Sequence, residues 1–521
     1  MAGLYEPVTL GQVVVTALRR FPERVAFKLD GRELTYRQVE DALARWVAVL
    51  QANGLRRGEG VGLLSPNRPE AWLAPSSAIL AGGRYTALHP LGSLDDHLHA
   101  CNEAELRFLF VDPAFAERAV ALKEKAQTVE TIFSFGPSEA GEDIDALAAQ
   151  VPFNGRLEPG PTTAEDIGYL LYTGGTTGVP KAAMLTDRAV VAHYYGTALG
   201  WDLPGQMRYL AAAPISHAAG MLIVPTLLSG GTVILQRRFD PAAWLRAVAG
   251  EKANLSLLVP TMIYALLDHP QLEATDLSSL ETVIYGASPI SPTRLAEGLE
   301  RIGPVFCQLY GQTESCGQGT SLWRGHHDAS DPRRLSSCGK TMPFNRVTVI
   351  DEAGNPVPDG TPGELCIQGP TVMEGYWKQP ELTASTLAGG WLHTGDVGVR
   401  DEDGFFYIVD RKKDMIVSGG FNVFPREVED VLAGHPAVST VAVIGVPDEK
   451  WGEAVKALVV LRPGATCEAA ELIALVREHK GPVYAPKSVE FLDGLPMTPV
   501  GKADKKVLRA RYWEGRERQI G

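Results

Sequence analysis

The sequence predicts an α/β protein: a large N-terminal domain of α/β sheets with a β-rich subdomain, followed by a small α+β C-terminal domain. Three observations lead to this fold class. Apolar strand segments alternate with helical segments over most of the first 335 residues, which favours parallel or mixed sheets. Strands separated by Gly/Pro turns then prevail over about residues 335–412. A compact strand–helix unit of domain size fills residues 413–521.

The clearest helix lies at residues 35–54. Thr35 and Gln38 form a T-x-x-Q capping box, and Asn-Gly at 53–54 is a stop signal. Apolar residues recur on one face between them: Val39, Leu43, Trp46, Val47 and Leu50. Ser291 and Pro292 predict the start of another helix, with the serine as cap.

Strand segments fill the intervals between the helices. Short apolar runs predict strands at "GVGLLS" (60–65), "GTVILQ" (231–236), "ANLSLLVP" (253–260) and "LETVIYGAS" (280–288). Asp403-Gly404 is a hairpin turn signal inside the β-rich subdomain. In the C-terminal unit, "PREVEDVLAGH" and "EAAELIALVREHK" predict helices, and "VSTVAVIGVP", "AVKALVVL" and "SVEFL" predict strands.

Composition excludes several classes of protein. A net charge of -13 and a pI near 5.4 argue against nucleic acid as the main partner. The six cysteines show no CxxC pair or zinc spacing, so we expect reduced thiols. The N-terminus lacks the pattern of a secretory signal, and no apolar run is long enough to span a membrane. A cytoplasmic location is therefore expected.

The stretch "TGGTTGVPK" (173–181) has the composition of a phosphate-binding loop. Its glycines allow backbone N–H groups to converge on an anion, while its threonines add hydroxyl donors and Lys181 adds charge. It is not a P-loop of the G-x-x-x-x-G-K-[ST] type: two residues separate Gly178 from Lys181, and Ala182 replaces the magnesium-binding hydroxyl. Taken alone, the stretch fits a phosphate loop or a Gly/Thr turn equally well.

Five segments in order point to a family. "TGGTTGVPK", "YGQTE" (310–314), "HTGD" (393–396), "DRKKDMIVSGGFNVFPREVE" (410–429) and "PMTPVGKADKKVLR" (496–509) resemble motifs of the adenylate-forming superfamily, in its acyl-CoA synthetase branch. That superfamily includes acyl-CoA synthetases, luciferases and peptide-synthetase adenylation domains. Each motif is moderately specific, and five in the right order are very specific.

The resemblance implies an AMP-forming carboxylic acid–CoA ligase. ATP and the acid give an acyl-adenylate, and coenzyme A then displaces AMP after the C-terminal domain rotates. It further implies an N-terminal ATP- and acid-binding domain at 1–412, a mobile C-terminal domain at 413–521, a hinge at Lys413, and Mg²⁺ as cofactor. Alternatives stay open: a stand-alone amide synthetase or carrier-protein acyl ligase, a luciferase-like oxygenase, and a binding protein without activity. Oligomeric state is open as well, with a homodimer as one alternative.

The resemblance also assigns residues to roles in the first half-reaction. Catalytic roles fall to Lys502, Glu314, Thr313, His217 and Lys181. Lys502 would bridge the substrate carboxylate and the α-phosphate, and Glu314 would bind Mg²⁺. ATP or AMP contacts fall to Thr173, Gly174, Gly175, Thr176, Thr177, Gly178, Lys181, Gly286, Ala287, Ser288, Tyr310, Gly311, Gln312, Thr313, Glu314, Asp396, Ile408, Arg411 and Lys502. Tyr310 would pack on adenine, while Asp396 and Arg411 would contact the ribose.

The remaining assignments concern the acid and the thiol. The acid pocket is assigned to His217, Met221, Thr261, Gly286, Leu309 and Ser315, with Val259 and Met262 nearby. These are mostly apolar, which suits an apolar or aromatic acid; ordinary core packing explains any one of them about as well. Coenzyme A is assigned to Ser418, Gly419, Gly420 and Phe421. The sequence leaves open whether the acid is fatty, aryl, cinnamate-like or steroid-derived.

Three positions depart from the family pattern. Ser216 stands where an aromatic residue often precedes the histidine, so the match of His217 is loose and a core histidine is nearly as good an interpretation. Gly174 replaces a common serine, and Ala182 replaces the usual glycine after the loop lysine. Both are small, so we expect phosphate binding to survive with one donor fewer.

Overall fold

The computed structural model describes most of the chain, and every structural statement below refers to those residues. They are residues 7–152, 156–173, 181–411, 414–418, 421–448, 451–498 and 502–513. Across these ranges, no helix is both long and apolar enough to cross a membrane.

The strands are numbered in chain order. They are β1 (Val25–Leu29), β2 (Arg32–Thr35), β3 (Gly60–Leu64), β4 (Arg84–Ala87), β5 (Leu106–Val111), β6 (Thr131–Ser134), β7 (Glu142–Asp143), β8 (Ile167–Thr173), β9 (Lys181–Thr186), β10 (Arg208–Ala211), β11 (Thr232–Leu235), β12 (Leu255–Leu258), β13 (Thr282–Gly286), β14 (Phe306–Tyr310), β15 (Thr320–Leu322), β16 (Lys340–Thr341), β17 (Arg346–Ile350), β18 (Gly363–Gln368), β19 (Gly375–Tyr376), β20 (Leu392–Arg400), β21 (Phe406–Arg411), β22 (Ile416–Ser418), β23 (Phe421–Val423), β24 (Val438–Asp448), β25 (Gly452–Leu461) and β26 (Ser488–Phe491).

The α-helices are numbered in the same way. They are α1 (Leu10–Arg19), α2 (Tyr36–Ala52), α3 (Glu70–Leu80), α4 (Leu94–Glu103), α5 (Ala116–Lys125), α6 (Ile144–Gln150), α7 (Asp187–Gly200), α8 (Ile223–Leu228), α9 (Pro241–Glu251), α10 (Pro260–Leu267), α11 (Pro292–Arg301), α12 (Pro332–Leu335), α13 (Pro380–Thr386), α14 (Pro425–Ala433), α15 (Ala469–Lys480) and α16 (Lys505–Ala510).

The N-terminal domain contains two large sheets. One has nine strands in the order β16-β15-β14-β13-β12-β10-β11-β1-β2, and the other has eight in the order β19-β9-β8-β4-β3-β5-β6-β7. The central strands of both, β12–β13–β14 in one and β4–β3–β5 in the other, pair in parallel and are largely buried, so they read as continuous apolar runs in the sequence. This confirms the predicted α/β class.

The β-rich subdomain is a four-stranded antiparallel sheet in the order β17-β18-β20-β21. Gly404 has φ +80° in the turn between β20 and β21, which explains the Asp-Gly signal there. This sheet matters for the site because β20 carries Asp396 and faces β14 and its following turn.

The C-terminal residues form a separate sheet in the order β23-β22-β25-β24, with β26 parallel to β25. Helices α14 and α15 cover one face around a core that includes Val428, Leu432 and Val476. Arg426 of α14 donates from Nη1 to the carbonyl of Ile408 at 3.0 Å, which joins this unit to the β-rich sheet.

Local signals are largely matched by the structure. Helix α2 begins after Thr35, whose side chain and that of Gln38 form both halves of the capping box at 3.2 and 2.8 Å. Helix α11 begins at Pro292 with Ser291 as N-cap residue, although the serine side chain makes no capping hydrogen bond.

Candidate nucleotide and acid site

The glycine-rich loop connects two paired strands. Thr173 ends β8 and Lys181 begins β9, and the two residues are directly opposite each other in an antiparallel pair. The Thr173 hydroxyl donates to the Lys181 carbonyl at 3.4 Å. The loop itself, with Gly174, Gly175, Thr176, Thr177 and Gly178, lies outside the described residues. Its two ends are thus held together by the sheet, as a loop that closes over an anion requires.

A tyrosine links the loop lysine to the predicted metal ligand. Lys181 Nζ lies 5.5 Å from the ring centroid of Tyr376, and the Tyr376 hydroxyl donates to Glu314 Oε1 at 2.7 Å. Tyr376 pairs with Ala183 through the short strand β19. Burial and the neighbouring Glu314 carboxylate raise the pKa of Tyr376, so its hydroxyl remains a donor. One tyrosine therefore contacts both a cation and a carboxylate.

The "YGQTE" and "HTGD" segments meet through hydrogen bonds. Asp396 Oδ2 accepts from the Tyr310 hydroxyl at 2.9 Å and from Gln312 Nε2 at 3.1 Å. Gln312 Nε2 also donates to the Thr394 carbonyl at 2.7 Å. Burial, followed by the Asp396 charge, raises the pKa of Tyr310 well above its usual value. Asp396 is 3% exposed, so this carboxylate is oriented by two donors before any ligand arrives.

The predicted adenine segment has a constrained backbone. Gly286 ends β13 opposite Leu309 of β14, and a methyl group on Gly286 would lie 2.2 Å from the Leu309 carbonyl oxygen. The next residue, Ala287, is exposed and has φ +63°, a left-handed conformation that costs a non-glycine residue about 1–2 kcal/mol. Ser288 follows, half-buried. Strain of this kind is typical of functional segments.

The turn after β14 is equally tight. A methyl group on Gly311 would lie 2.4 Å from the Gly317 carbonyl carbon, so the chain can fold back only over a glycine. Thr313 begins a short 3-10 helix. Met221 lies against the turn, since its Cε would be 3.3 Å from a methyl group on Gly317. Met221 is therefore beside the segment that carries Glu314.

Ser315 is fully buried, and its hydroxyl bonds with the backbone of Gln312. It supports the turn in this structure, and its predicted place in the acid wall stays a prediction. Val259 is the N-cap residue of α10, and Thr261 and Met262 are half-buried in its first turn. Their predicted place at the acid also stays a prediction.

His217 is half-buried and makes an edge-on ring contact with a second histidine. The ring centroids of His217 and His89 are 4.8 Å apart at an interplanar angle of 65°, and Ser216 Oγ lies 2.9 Å from His217 Nδ1. Burial, with a smaller effect of His89, lowers the pKa of His217 to about 4. The ring is therefore neutral at pH 7 and can act as a wall or a hydrogen-bond partner, not as a cation.

The C-terminal candidates lie on two turns of one domain. Lys502 N donates to Thr498 Oγ1 at 3.1 Å, and the Lys502 carbonyl accepts from Thr498 N at 2.7 Å. Ser418 and the exposed Phe421 are partners across the β22–β23 hairpin. Asp414, just before β22, and Arg509, on α16, form an ion pair with Oδ1 and Nη1 2.8 Å apart. This pair connects the chain segment that leads into Ser418 with the helix that follows Lys502.

Several predicted residues cannot be placed. Gly419, Gly420 and the predicted hinge Lys413 lie outside the described residues.

Arg411 is the backbone partner of Asp396 in the β20–β21 ladder, and Ile408 is opposite Gly398 in the same ladder. The backbone thus brings the two predicted ribose residues, Asp396 and Arg411, to opposite positions on neighbouring strands.

Sequence reasoning missed two residues of the site, Tyr376 and His89. Tyr376 lies in "EGYW" and His89 in "LHPL", and neither short context distinguishes them from ordinary tyrosines and histidines. Each makes its contact with a residue far away in the chain, so only the folded structure shows it.

Comparison with known proteins identifies the family. Residues 14–377 match the model of the AMP-binding enzyme family, and residues 427–502 match that of the AMP-binding enzyme C-terminal domain. The chain is 46% identical to the medium/long-chain-fatty-acid–CoA ligase FadD8 of Mycobacterium tuberculosis, over 99% of this chain and 92% of the relative. It is 39% identical to a feruloyl-CoA synthase of an Amycolatopsis species, over 96% and 99%.

A solved structure shows the same fold. The amide bond synthetase McbA from Marinactinospora thermotolerans superposes with a TM-score of 0.88 at 34% identity, covering 96% of this chain and 99% of McbA. Together with the family models, these matches extend over nearly the whole chain. The chain therefore belongs to the AMP-binding enzyme family, in the acyl-CoA synthetase branch of the adenylate-forming superfamily.

Proposed function

We propose that the protein is an AMP-forming ligase that joins an apolar or aromatic carboxylic acid to coenzyme A. The observation that carries the proposal is the convergence at the turn after β14, where Tyr310 and Gln312 orient Asp396, and where Tyr376 contacts both Glu314 and Lys181. On this proposal, one short segment would align a ribose acceptor with a phosphate and metal site. The two relatives named above as CoA ligases support the choice of acceptor.

In the first step, a carboxylate oxygen of the acid attacks the α-phosphorus of ATP and pyrophosphate leaves. Both reactants are anions, so the site must offset their repulsion. Lys181 supplies positive charge at the end of the phosphate loop. We assign Lys502 to the α-phosphate and the attacking carboxylate, where it would orient them and stabilise the developing charge.

Glu314 has the character of a magnesium ligand. It is 8% exposed, its Oε1 is fixed by Tyr376, and a single carboxylate next to substrate phosphates is a common way to bind Mg²⁺. Mg²⁺ bound there would neutralise charge on the phosphate oxygens. The described residues thus fit the ion, and the tyrosine keeps the carboxylate aimed while the nucleotide enters.

In the second step, the thiol of coenzyme A attacks the acyl carbon and AMP leaves with the bridging oxygen. We propose that the C-terminal domain turns about Lys413 between the steps, first presenting Lys502 and then the Ser418–Phe421 hairpin. Both lie on one domain, joined internally by the Asp414–Arg509 ion pair, so one rotation would exchange them.

The test is a panel of medium-chain, long-chain and hydroxycinnamic acids incubated with ATP, Mg²⁺ and coenzyme A. We expect acid-dependent pyrophosphate release together with AMP and a new acyl-CoA mass. A panel that gives no pyrophosphate with any acid would contradict the proposal at its first step.

A second candidate, an amide bond synthetase, is favoured by the likeness to McbA over almost the entire chain. The two candidates share the acyl-adenylate and differ in the acceptor. The same panel of acids, supplied with both a primary amine and coenzyme A, separates them. Amide formation without thioester would select the second candidate.

A further inference from the structure

A cluster of three side chains lies on the β18–β20 strand pair, apart from the nucleotide contacts. Cys366 and His393 are direct cross-strand partners, and Glu364 lies on the same face of β18, two residues before the cysteine. Cys366 is buried, while the His393 and Glu364 side chains are 25% and 23% exposed. The cluster is therefore shielded on one side and open to solvent on the other.

Two of the distances within the cluster are close to those between ligands of a zinc ion. His393 Nδ1 lies 3.2 Å from Glu364 Oε2 and 3.7 Å from Cys366 Sγ, and the three atoms are all within 4.8 Å of one another. Zinc bonds of about 2.0–2.3 Å at tetrahedral angles separate ligand atoms by roughly 3.3–3.7 Å. Thiolate, imidazole and carboxylate together form a typical zinc ligand set.

The hydrogen count at His393 favours a cation at this point. Its two ring nitrogens face two oxygen acceptors: Nδ1 faces Glu364 Oε2, and Nε2 lies 3.3 Å from the Ala388 carbonyl. A neutral imidazole carries one hydrogen and satisfies only one of them. An imidazolium satisfies both, and so does a metal cation on Nδ1 with Nε2–H donated to Ala388, which is the usual arrangement of metal-binding histidines.

Glu364 is also held from outside the cluster. Its Oε1 accepts from the backbone N–H of Gly395 at 2.9 Å, which leaves Oε2 facing the histidine. Gly395 immediately precedes Asp396, and a β-bulge at this point re-aims the strand. An ion on Glu364 would therefore brace the strand that carries the predicted ribose acceptor.

A second cluster of the same residue types has all of its hydrogen-bond donors paired. At His435, Cys467 and Glu471, the histidine Nδ1 already accepts from Ala437 N at 3.2 Å. Its Nε2–H consequently donates to Glu471 Oε1 at 3.0 Å, and the Cys467 thiol donates to Oε2 at 3.4 Å. Every hydrogen there has an acceptor, so this cluster requires no ion and provides a matched control.

We infer that Glu364, Cys366 and His393 bind one zinc-class divalent ion, with water completing the tetrahedron, as a structural site separate from the magnesium chemistry. Binding requires ionised cysteine, so the thiol proton passes to solvent as the ion enters. The soft thiolate selects against Mg²⁺, which keeps the two metals apart.

The test is a Co²⁺ titration of the reduced, chelator-treated full chain, followed through thiolate-to-cobalt charge-transfer absorption. We expect one equivalent per chain and no competition from Mg²⁺. Cys366→Ser should abolish the band, His393→Ala should weaken Co²⁺ binding at least about tenfold, and Cys467→Ser should leave both unchanged. Zn²⁺ should also raise the melting midpoint of the wild type and not that of Cys366→Ser.

A wild-type protein without the band would overturn the inference, as would a band that disappears in Cys467→Ser and persists in Cys366→Ser. If Cys366→Ser fails to fold, His393→Ala decides, because that side chain is partly exposed and its loss leaves no large cavity. Unchanged Co²⁺ affinity in folded His393→Ala would also overturn the inference.

Discussion

Two regions of the molecule hold their residues in different ways. One is the nucleotide frame of the N-terminal domain, which consists of Glu314, Asp396 and the tyrosines that bond to them. The other is the pair of C-terminal turns that carry Ser418 and Lys502. Glu314 and Asp396 are each oriented by a tyrosine hydroxyl from a distant segment of the same domain. Lys502 and Ser418 lie on turns that are tied together inside the C-terminal domain. Under the proposed function, the first arrangement would fix the nucleotide, and the second would present two sets of residues as one unit.

The substitution with the largest expected effect on activity is Lys502→Ala, in the C-terminal domain. Removing a group that stabilises developing charge at the α-phosphate should slow adenylation by roughly 10²–10³-fold. Thioester formation from supplied acyl-adenylate should stay largely intact, because that step uses the other hairpin. Pyrophosphate release and acyl-CoA mass measure the two steps separately. Lys506→Ala, an exposed lysine four residues on, is the control, and equal loss of both steps in Lys502→Ala would contradict the assignment.

On the N-terminal side, Asp396→Asn should have the next largest effect. The carboxylate already accepts from Tyr310 and Gln312, and the amide keeps one acceptor and loses the charge. We expect kcat/KM for ATP to fall by about 10- to 100-fold, the range of one or two charged hydrogen bonds. Steady-state kinetics measure it. Asp403→Asn, on the exposed hairpin turn of the same sheet, should behave like wild type, and an equal loss there would indicate damage to the sheet.

Tyr376→Phe tests whether orientation of Glu314 matters. The change leaves Glu314 Oε1 without its donor and should lower kcat/KM for ATP by about tenfold. Tyr407→Phe is a matched control, since that hydroxyl on β21 of the β-rich sheet also donates to a carboxylate, that of Asp401 at 2.9 Å. If the two variants lose equal activity, the tyrosine has no special role at the site.

A change at Asp187 is expected to have the smallest effect on activity and to act instead on the stability of the N-terminal domain. Burial raises the pKa of Asp187, at the start of α7, to about 6. Because the folded pKa exceeds the unfolded one, its ionisation opposes folding: the stability it contributes is present below about pH 4 and lost as pH rises to 6. The loss is at most about 3 kcal/mol. The melting-midpoint advantage of Asp187→Asn over wild type should therefore grow between pH 4 and 6 and then level off; an advantage that is constant with pH would contradict it.

The sequence was sufficient for the α/β class and for the order of the motifs, because strand–helix alternation and motif spacing are local properties. The sequence also assigned Tyr310 and Asp396 to the same nucleotide site. It did not show that the two side chains are hydrogen-bonded to each other. Tyr376 and His89 could not be found in this way, since their partners Glu314 and His217 come from remote segments. Ser315 is the opposite case: it was predicted to line the acid pocket, but in the structure its hydroxyl donates to the Gln312 carbonyl of its own turn.

The central claim is that an acyl-adenylate forms at the frame and is then passed to a thiol. Acid labelled with ¹⁸O in both carboxylate oxygens tests it most directly, because attack on the α-phosphorus transfers one labelled oxygen to AMP. We predict AMP carrying one ¹⁸O per turnover, unlabelled pyrophosphate, and acyl-CoA retaining the other label. Label in pyrophosphate or inorganic phosphate, or AMP without label, would contradict the account.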